Sequence, residues 1–128
     1  ILSAHRSPSA LHEYISNVST GGFGVIISAA GLANHLSGSI AALTHLPVIG
    51  CPMEGPSLGG LDSLLSTVQM PGGIPVATMS IGGAGAKNAA LFAIAILALS
   101  DDSLTDKLKQ YKKDQEAATI AKNSKIEN

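Results

Sequence analysis

Residues 24–51 read GVIISAAGLANHLSGSIAALTHLPVIGC and alternate between strand-like and helix-like patterns. Gly24–Ala29 and Pro47–Cys51 are short apolar runs, which are typical of buried strands. A helix is predicted between them, over Ala33–Leu43, after a turn at Gly31. This strand–helix–strand order predicts a parallel sheet covered by helices.

The same alternation continues on both sides of this stretch. The further predicted elements are a strand end at Ile1–Ser3, a helix from Ser7-Pro8 to Gly21-Gly22, a helix around Leu61–Val68, a strand over Pro75–Ile81, a helix over Lys87–Leu99 and a charged helix from Ser103. We therefore expect one α/β domain over residues 1–128, a flavodoxin- or Rossmann-like three-layer sandwich with a central parallel sheet. Its core would span residues 1–99 and its C-terminal helical extension residues 103–122, and the chain should fray from about Asn123.

Charged residues make up only 13% of the chain, and their signs nearly cancel, with 8 Lys and Arg against 9 Asp and Glu. A nucleic-acid partner is not expected, because such partners require a basic face. So few charges, with a mean hydropathy of +0.31, favour a homo-oligomer that hides more surface than a monomer can. The alternative is a compact monomer rich in Ala and Gly.

Cysteine and histidine usage argues for an intracellular protein without a metal centre. The single cysteine, Cys51, can form no disulfide within the chain, which fits the reducing cytoplasm. The four histidines lack the spacing of a metal site. The longest apolar run, Ala89–Leu99, has about half the length that a bilayer span requires, so no membrane partner is expected.

Open parallel sheets bind ligands at the carboxyl ends of their strands. The segments at these ends are Ser3–Arg6, Gly31–Gly38, Cys51–Gly60 and Ser80–Gly85. Together they predict a small polar ligand with an anionic group, held by the Arg6 guanidinium or by backbone N–H groups of the Gly82–Gly85 turn. The chain has no Walker A motif, since neither Ser nor Thr follows Lys87, and no dinucleotide fingerprint.

Each candidate side chain also has a structural interpretation. His5 could bond a backbone carbonyl, and His35 could cap or pack at the start of a helix. Glycines in Gly82–Gly85 also suit a tight strand-to-helix turn. The residues alone therefore leave a catalytic and a structural role for His5 equally open.

Several motifs, in order along the chain, resemble the PurE family. They are SAHRSP at 3–8, LGGLDSL at 58–64, VQMP at 68–71, GIPVAT at 73–78, Ile81-Gly82 and NAAL at 88–91. The resemblance covers Ile1 to about Leu99. It implies a flavodoxin-like domain assembled as a homo-octamer, whose C-terminal helix packs on neighbouring subunits, with no metal and no organic cofactor.

The resemblance also implies an activity in purine synthesis. Family members either move a carboxylate from the exocyclic nitrogen of N5-carboxyaminoimidazole ribonucleotide to ring C4, or carboxylate aminoimidazole ribonucleotide directly with CO2. His5 matches the catalytic general acid and base, and Arg6 matches a contact to the substrate phosphate. The remaining matched substrate-binding residues are Ser3, Gly31, Ala33, Asn34, His35 and Leu36.

Two departures from the family pattern bear on function. The family's first strand–helix unit, with its phosphate-binding GSxSD loop, has no counterpart from Ile1 onward, so we expect that unit to be missing here. The segment Ala30–Gly38 mixes the mutase pattern GGAAHLPG with the carboxylase pattern AGRSNxLSG: His35 favours the mutase, whereas Asn34 and Ser37 favour the carboxylase. The mutase is preferred over the direct carboxylase. The other hypotheses are a truncated non-catalytic subunit and a nucleotide- or phosphosugar-binding module that uses the Gly82–Gly85 turn.

Overall fold

A computed structural model describes residues 1–123 of the chain. Its elements, in chain order, are α1 (Pro8–Thr20), β1 (Ile26–Ala30), α2 (Leu36–Ala41), β2 (Val48–Pro52), α3 (Leu61–Val68), β3 (Ala77–Thr78), α4 (Gly82–Leu97) and α5 (Asp102–Asn123). Asn123 is the last residue of α5, and the fraying expected after it concerns residues 124–128, which lie outside the described part of the chain.

The three strands form one parallel sheet in the order β1-β2-β3. Ile26 is opposite Val48 at the β1–β2 pair, and Ile49 is opposite Ala77 at the β2–β3 pair. Every residue of the central strand β2 is buried. The predicted α/β class with a central parallel sheet is therefore confirmed, and the carboxyl ends of β1 and β2 lie at the same edge.

The main apolar cluster joins the first two helices to the sheet. Leu11 and Ile15 of α1 pack with Ile40 of α2 and Val48 of β2, and each is at most 5% exposed. Leu11, Ile15 and Val18 recur at helical spacing, so one face of α1 is buried. Pro8 occupies the first turn, where its missing N–H is not needed.

Close packing of α3 depends on a glycine in β2. A Cβ placed on Gly50 would lie 2.5 Å from the Thr67 methyl carbon of α3 and 3.0 Å from the Ser37 hydroxyl of α2. Thr67 and Ser63 are fully buried. The Thr67 hydroxyl donates to Ser63 O at 2.6 Å, and the Ser63 hydroxyl donates to Gly60 O at 2.8 Å. The helix therefore satisfies its own buried hydroxyls while it contacts the sheet.

Two predicted strands differ from the structure. Ile1–Ser3 is not a strand, because local hydrogen bonds use the backbone of Ser3: its N–H donates to Ser7 Oγ at 2.8 Å, and its oxygen accepts from Ser7 N–H at 3.0 Å. The predicted strand Pro75–Ile81 shortens to Ala77–Thr78. Proline at 75 has no N–H to contribute to a ladder.

Two predicted helix starts also differ. The second helix begins at Leu36, three residues later than expected, because Leu32 has a φ of 55° and the His35 N–H donates to Ala33 O in a tight turn, at 2.9 Å. The fourth helix begins at Gly82, so Gly82–Gly85 forms its first turn and is not a separate loop. At Gly85 a Cβ would overlap the Ser80 carbonyl oxygen, so glycine is required there.

The chain divides into two compact units, with the boundary inside α4. The first unit is Ile1–Ala93 and contains the sheet, and the second begins at Ile94 and contains α5. Asp101 precedes α5, and its carboxylate accepts the Ser103 hydroxyl at 2.7 Å and the Ser103 N–H at 2.9 Å. These hydrogen bonds hold the pKa of the Asp101 carboxyl below its usual range.

Within residues 1–123, no helix has both the length and the apolar character that a membrane span requires. The single domain over 1–128, with its core over 1–99 and its extension over 103–122, stays a prediction.

Candidate active site

A cleft of about 440 Å³ opens where β1 ends. Its walls come from two stretches of the chain, residues 1–6 and residues 29–36 except Asn34. Both stretches include segments that the sequence indicated as strand ends, but only the second follows a strand, β1, in the structure. A cleft of this volume suits a small organic ligand.

Two histidines form the polar centre of the cleft. His5 Nε2 and His35 Nδ1 are 2.9 Å apart and share a hydrogen bond. The rings meet edge to face, with centroids 5.0 Å apart and an interplanar angle of 84°. Because the bond needs one N–H and one lone pair, it persists only while at least one of the two facing nitrogens is unprotonated. Both side chains remain exposed to solvent, so a ligand can reach them.

A tight turn before α1 fixes the position of His5. The Ser3 hydroxyl accepts the Arg6 N–H at 3.2 Å, and the Ser7 hydroxyl donates to Ser3 O at 3.1 Å. Ser3 was predicted as a substrate-binding residue; here it lines the cleft and its hydroxyl also closes the turn. The turn therefore holds His5 at the mouth of the cleft.

Arg6 lies beside His5 in the same wall. Its side chain is exposed and forms no ion pair with a carboxylate among the residues that the structure describes. A guanidinium in this position can accept a phosphate or carboxylate as a bidentate partner.

The opposite wall is the connection between β1 and α2. Gly31, Ala33, His35 and Leu36, which the resemblance implies as substrate-binding residues, line the cleft, and their binding of substrate stays a prediction. Asn34 does not line it: the residue is 1% exposed, and its backbone N–H donates to Ser66 Oγ of α3 at 2.8 Å. The structure thus brings together every predicted site residue except Asn34.

His35 also borders a second hollow, on the side of α3. Ser39, Ser66 and Gln69 contribute polar groups to this hollow of about 440 Å³. The prediction of site residues omitted Ser66 and Gln69. The motif VQMP at 68–71 was the signal that could have identified this region, because it contains Gln69 and Met70.

The other two strand-end segments do not line the cleft. Cys51 is 1% exposed, and burial raises the pKa of its thiol above the usual range, so it is a protonated packing residue. Gly82–Gly85 forms the first turn of α4. Among residues 1–123, no three His, Cys, Asp or Glu side chains are grouped closely enough to hold a metal ion.

Comparisons with known proteins agree on one family. The family model described as AIR carboxylase matches residues 1–118. An N5-carboxyaminoimidazole ribonucleotide mutase of Pyrococcus abyssi is 54% identical over 114 residues, which cover 89% of this chain and 64% of that protein. A chloroplastic phosphoribosylaminoimidazole carboxylase of Vigna aconitifolia is 46% identical over 127 residues, 99% of this chain and 22% of that protein.

Solved structures give the same result. The crystal structure of Treponema denticola PurE superposes with a TM-score of 0.87 at 29% sequence identity, covering 98% of this chain and 77% of that chain. The flavodoxin-like fold and the resemblance to PurE proteins that the motifs indicated are both confirmed. The chain spans less than two thirds of the Pyrococcus abyssi protein and about three quarters of the Treponema denticola one. Because the family model matches most of its residues, this chain belongs to the AIR carboxylase family.

Proposed function

We propose that the protein containing this chain converts N5-carboxyaminoimidazole ribonucleotide to 4-carboxyaminoimidazole ribonucleotide in purine synthesis. The names of the relatives, such as the Pyrococcus abyssi mutase, support this reaction. Within the chain, the observation that carries the proposal is the histidine pair in the strand-end cleft, with His5 Nε2 2.9 Å from His35 Nδ1. It offers a proton donor and acceptor beside a space that fits a small ligand.

The reaction requires two proton movements, and in this proposal His5 performs both. As the carbamate N–C bond breaks and CO2 departs, the imidazolium of His5 gives a proton to the exocyclic nitrogen. Ring C4 then attacks CO2 to form the new C–C bond, and neutral His5 removes the C4 proton. The two steps return His5 to its initial state. His35 would keep the His5 ring oriented through their shared hydrogen bond.

Arg6 would anchor the substrate away from the reacting atoms. A phosphate bound by its guanidinium contributes binding energy that fixes the imidazole ring near His5. The glycine and alanine of the opposite wall, Gly31 and Ala33, leave room for a flat ring and for CO2. A fixed ring favours recapture of CO2 over its escape.

We also propose that the active form is a homo-oligomer, an octamer, located in the cytoplasm. The support is an exposed apolar surface that we name the α3 stripe: Leu61, Leu65 and Val68 of α3, with Leu58 just before the helix. These side chains are 48–60% exposed, while the other face of α3 packs on the sheet. The single, unpaired Cys51 fits a reducing compartment.

Direct carboxylation of aminoimidazole ribonucleotide is the second candidate reaction. Asn34 and Ser37 favour it, because they match the carboxylase pattern, and the Vigna aconitifolia relative is named a carboxylase. Supplying the purified protein with each substrate separates the two. We expect turnover of the carbamate; turnover of aminoimidazole ribonucleotide with bicarbonate, and none of the carbamate, would reverse the choice.

The test of the proposed chemistry is a His5→Asn substitution. Removal of the proton shuttle should lower kcat by about 10²-fold or more, with a smaller change in KM, in a spectrophotometric assay of carbamate conversion. His12→Asn is the matched control, because His12 is exposed on α1 and does not line the cleft. A His5→Asn protein with the kcat of the control would refute a catalytic role for His5.

A further inference from the structure

One hydroxyl of α3 supports a wall of the cleft from behind. The Ser66 hydroxyl accepts the Asn34 N–H of the β1–α2 connection at 2.8 Å. It also donates within its own helix, to Asp62 O at 2.7 Å, and lies 3.5 Å from a further acceptor, Leu32 O. Among residues 1–123, no other group of another element hydrogen-bonds to residues 32–34. One side chain therefore supplies the hydrogen bonding that ties this part of the wall to the rest of the domain.

The backbone of the connection requires such a support. Leu32 has a φ of 55°, in the left-handed region that disfavours leucine, and a torsion of this kind persists only where its surroundings hold it. Packing of the Leu32 side chain supplies only part of that hold, because the side chain is 55% exposed. Asn34 is 1% exposed, so without Ser66 its N–H would have neither a partner nor water. The hydroxyl therefore stabilises the observed path of the connection.

The path of the connection sets the position of His35. His35 directly follows Asn34, and its own N–H donates to Ala33 O at 2.9 Å. Its ring is exposed, so the backbone that carries it largely decides where Nδ1 lies. Nδ1 is 2.9 Å from His5 Nε2, and a hydrogen bond of this length weakens steeply when the two groups are misaligned. A displacement at Asn34 would thus reach the histidine pair within one residue.

Ser66 itself does not line the cleft. It borders the second hollow, on the other side of His35. Its hydroxyl therefore acts on the histidine pair through the backbone of the connection and not through contact with a molecule in the cleft.

We propose that Ser66 is a positioning residue: its hydroxyl fixes the β1–α2 connection so that His35 holds the His5 ring in place for proton transfer. The inference rests on the proposed function, in which His5 moves the protons. Arg6, the proposed phosphate contact, lies in the opposite wall, so the loss of the Ser66 hydroxyl lowers turnover and leaves substrate binding largely intact.

Three variants isolate the hydrogen bond to Asn34. Ser66→Ala removes the hydroxyl, and Ser66→Thr retains it. Ser16→Ala is the matched control, because the Ser16 hydroxyl donates to His12 O, four residues before it, at 2.9 Å on the exposed side of α1. Ser66 makes the same type of bond with Asp62 O. The difference between the two alanine variants therefore reports the bond to the connection.

The first experiment needs no substrate. Ring ¹⁵N chemical shifts of His5 and His35 report which nitrogen of each ring carries the proton, and their shared hydrogen bond fixes one arrangement. Ser66→Thr and Ser16→Ala should keep the shifts of the unsubstituted protein, whereas Ser66→Ala should move them toward those of a free imidazole. Far-ultraviolet circular dichroism checks that the helices persist. If Ser66→Ala does not fold, Ser66→Cys replaces it, and its weaker acceptor should move the shifts in the same direction by less.

The second experiment measures turnover of the carbamate. Ser66→Ala should lower kcat about tenfold or more while KM changes less than about twofold, and Ser66→Thr should recover most of the kcat. A kcat of Ser66→Ala equal to that of Ser16→Ala would overturn the proposal, and so would unchanged ring shifts. A raised KM with an unchanged kcat would also overturn it, because the hydroxyl would then serve substrate binding.

The two experiments separate this inference from the proposed function. If the unsubstituted protein does not convert the carbamate, the proposed function fails. The ring shifts of the free protein still decide whether Ser66 positions the histidine pair.

Discussion

At the scale of single residues, Cys51 shows how burial sets the chemistry of a side chain. It lies in the central strand β2, is 1% exposed, and burial raises the pKa of its thiol. The folded chain therefore holds the thiol proton more tightly than the unfolded chain does. The resulting contribution to stability is complete below the usual thiol pKa of about 8.5, and it is lost as the pH rises through the raised value.

The expected result is a stability that declines in alkaline solution partly because of one thiol. The free energy of unfolding, from urea titrations at several pH values between neutral and strongly alkaline, should fall more steeply for the unsubstituted protein than for Cys51→Ala. At neutral pH the substitution should cost about 1 kcal/mol for the lost packing. Lysines and tyrosines titrate in both proteins, so their effects cancel in the difference. Parallel pH profiles would show that the thiol makes no such contribution.

Sequence patterns identified most of the candidate site, residue by residue. The strand-end rule selected the segments of His5 and His35, and the motif resemblance gave the individual residues. The burial of Asn34, two residues after the φ of 55° at Leu32, was not predictable from the pattern. Residue spacing and composition do not specify a torsion in a connection, so the side that such a residue faces appears only in the structure.

At the scale of elements, the sheet accepts α3 because β2 lacks a side chain at Gly50. Gly50→Ala should destabilise the protein by about 2 kcal/mol, since its Cβ would lie 2.5 Å from the Thr67 methyl carbon. Thr67→Ser removes that methyl group and keeps the hydroxyl that donates to Ser63 O. Alone it should cost about 1 kcal/mol through the small cavity that it leaves.

The double variant distinguishes this contact from a general effect of substituting the strand. If the Thr67 methyl is the obstacle, Gly50→Ala with Thr67→Ser should be more stable than the sum of the single changes by about 1 kcal/mol, measured by urea unfolding. A strictly additive double variant would place the strain elsewhere, at the Ser37 hydroxyl or the Val76 methyl group, each 3.0 Å from the added Cβ.

Element types could be predicted from the sequence more reliably than element ends. Periodic apolar residues such as Leu11 and Ile15 determine which face of α1 is buried, so its existence and limits followed from the pattern. The start of α4 at Gly82 could not be predicted, because glycines favour turns and helix starts alike. Whether these glycines form a turn or begin the helix depends on tertiary packing, in which the backbone at Gly85 approaches Ser80.

At the scale of the whole molecule, the proposed oligomer is supported by the distribution of apolar surface. The α3 stripe exposes three apolar side chains on one side of α3 and a fourth, Leu58, just before it, while the opposite face of the helix packs on the sheet. With 13% charged residues, the chain has few polar groups to break up such a surface. A surface of this kind is stabilised when a second copy covers it.

The assembly is expected to depend on the α3 stripe. Sedimentation velocity of the unsubstituted protein should give a single species much larger than 12.9 kDa. Leu65→Glu places a charge at a side chain that is 48% exposed, so it should shift the protein to smaller species while far-ultraviolet circular dichroism remains unchanged. Ser9→Glu adds the same charge on the exposed first turn of α1 and should leave the assembly intact. Full-size assemblies of Leu65→Glu would mean that copies meet through another surface, because a charge buried at an interface without a partner is strongly destabilising.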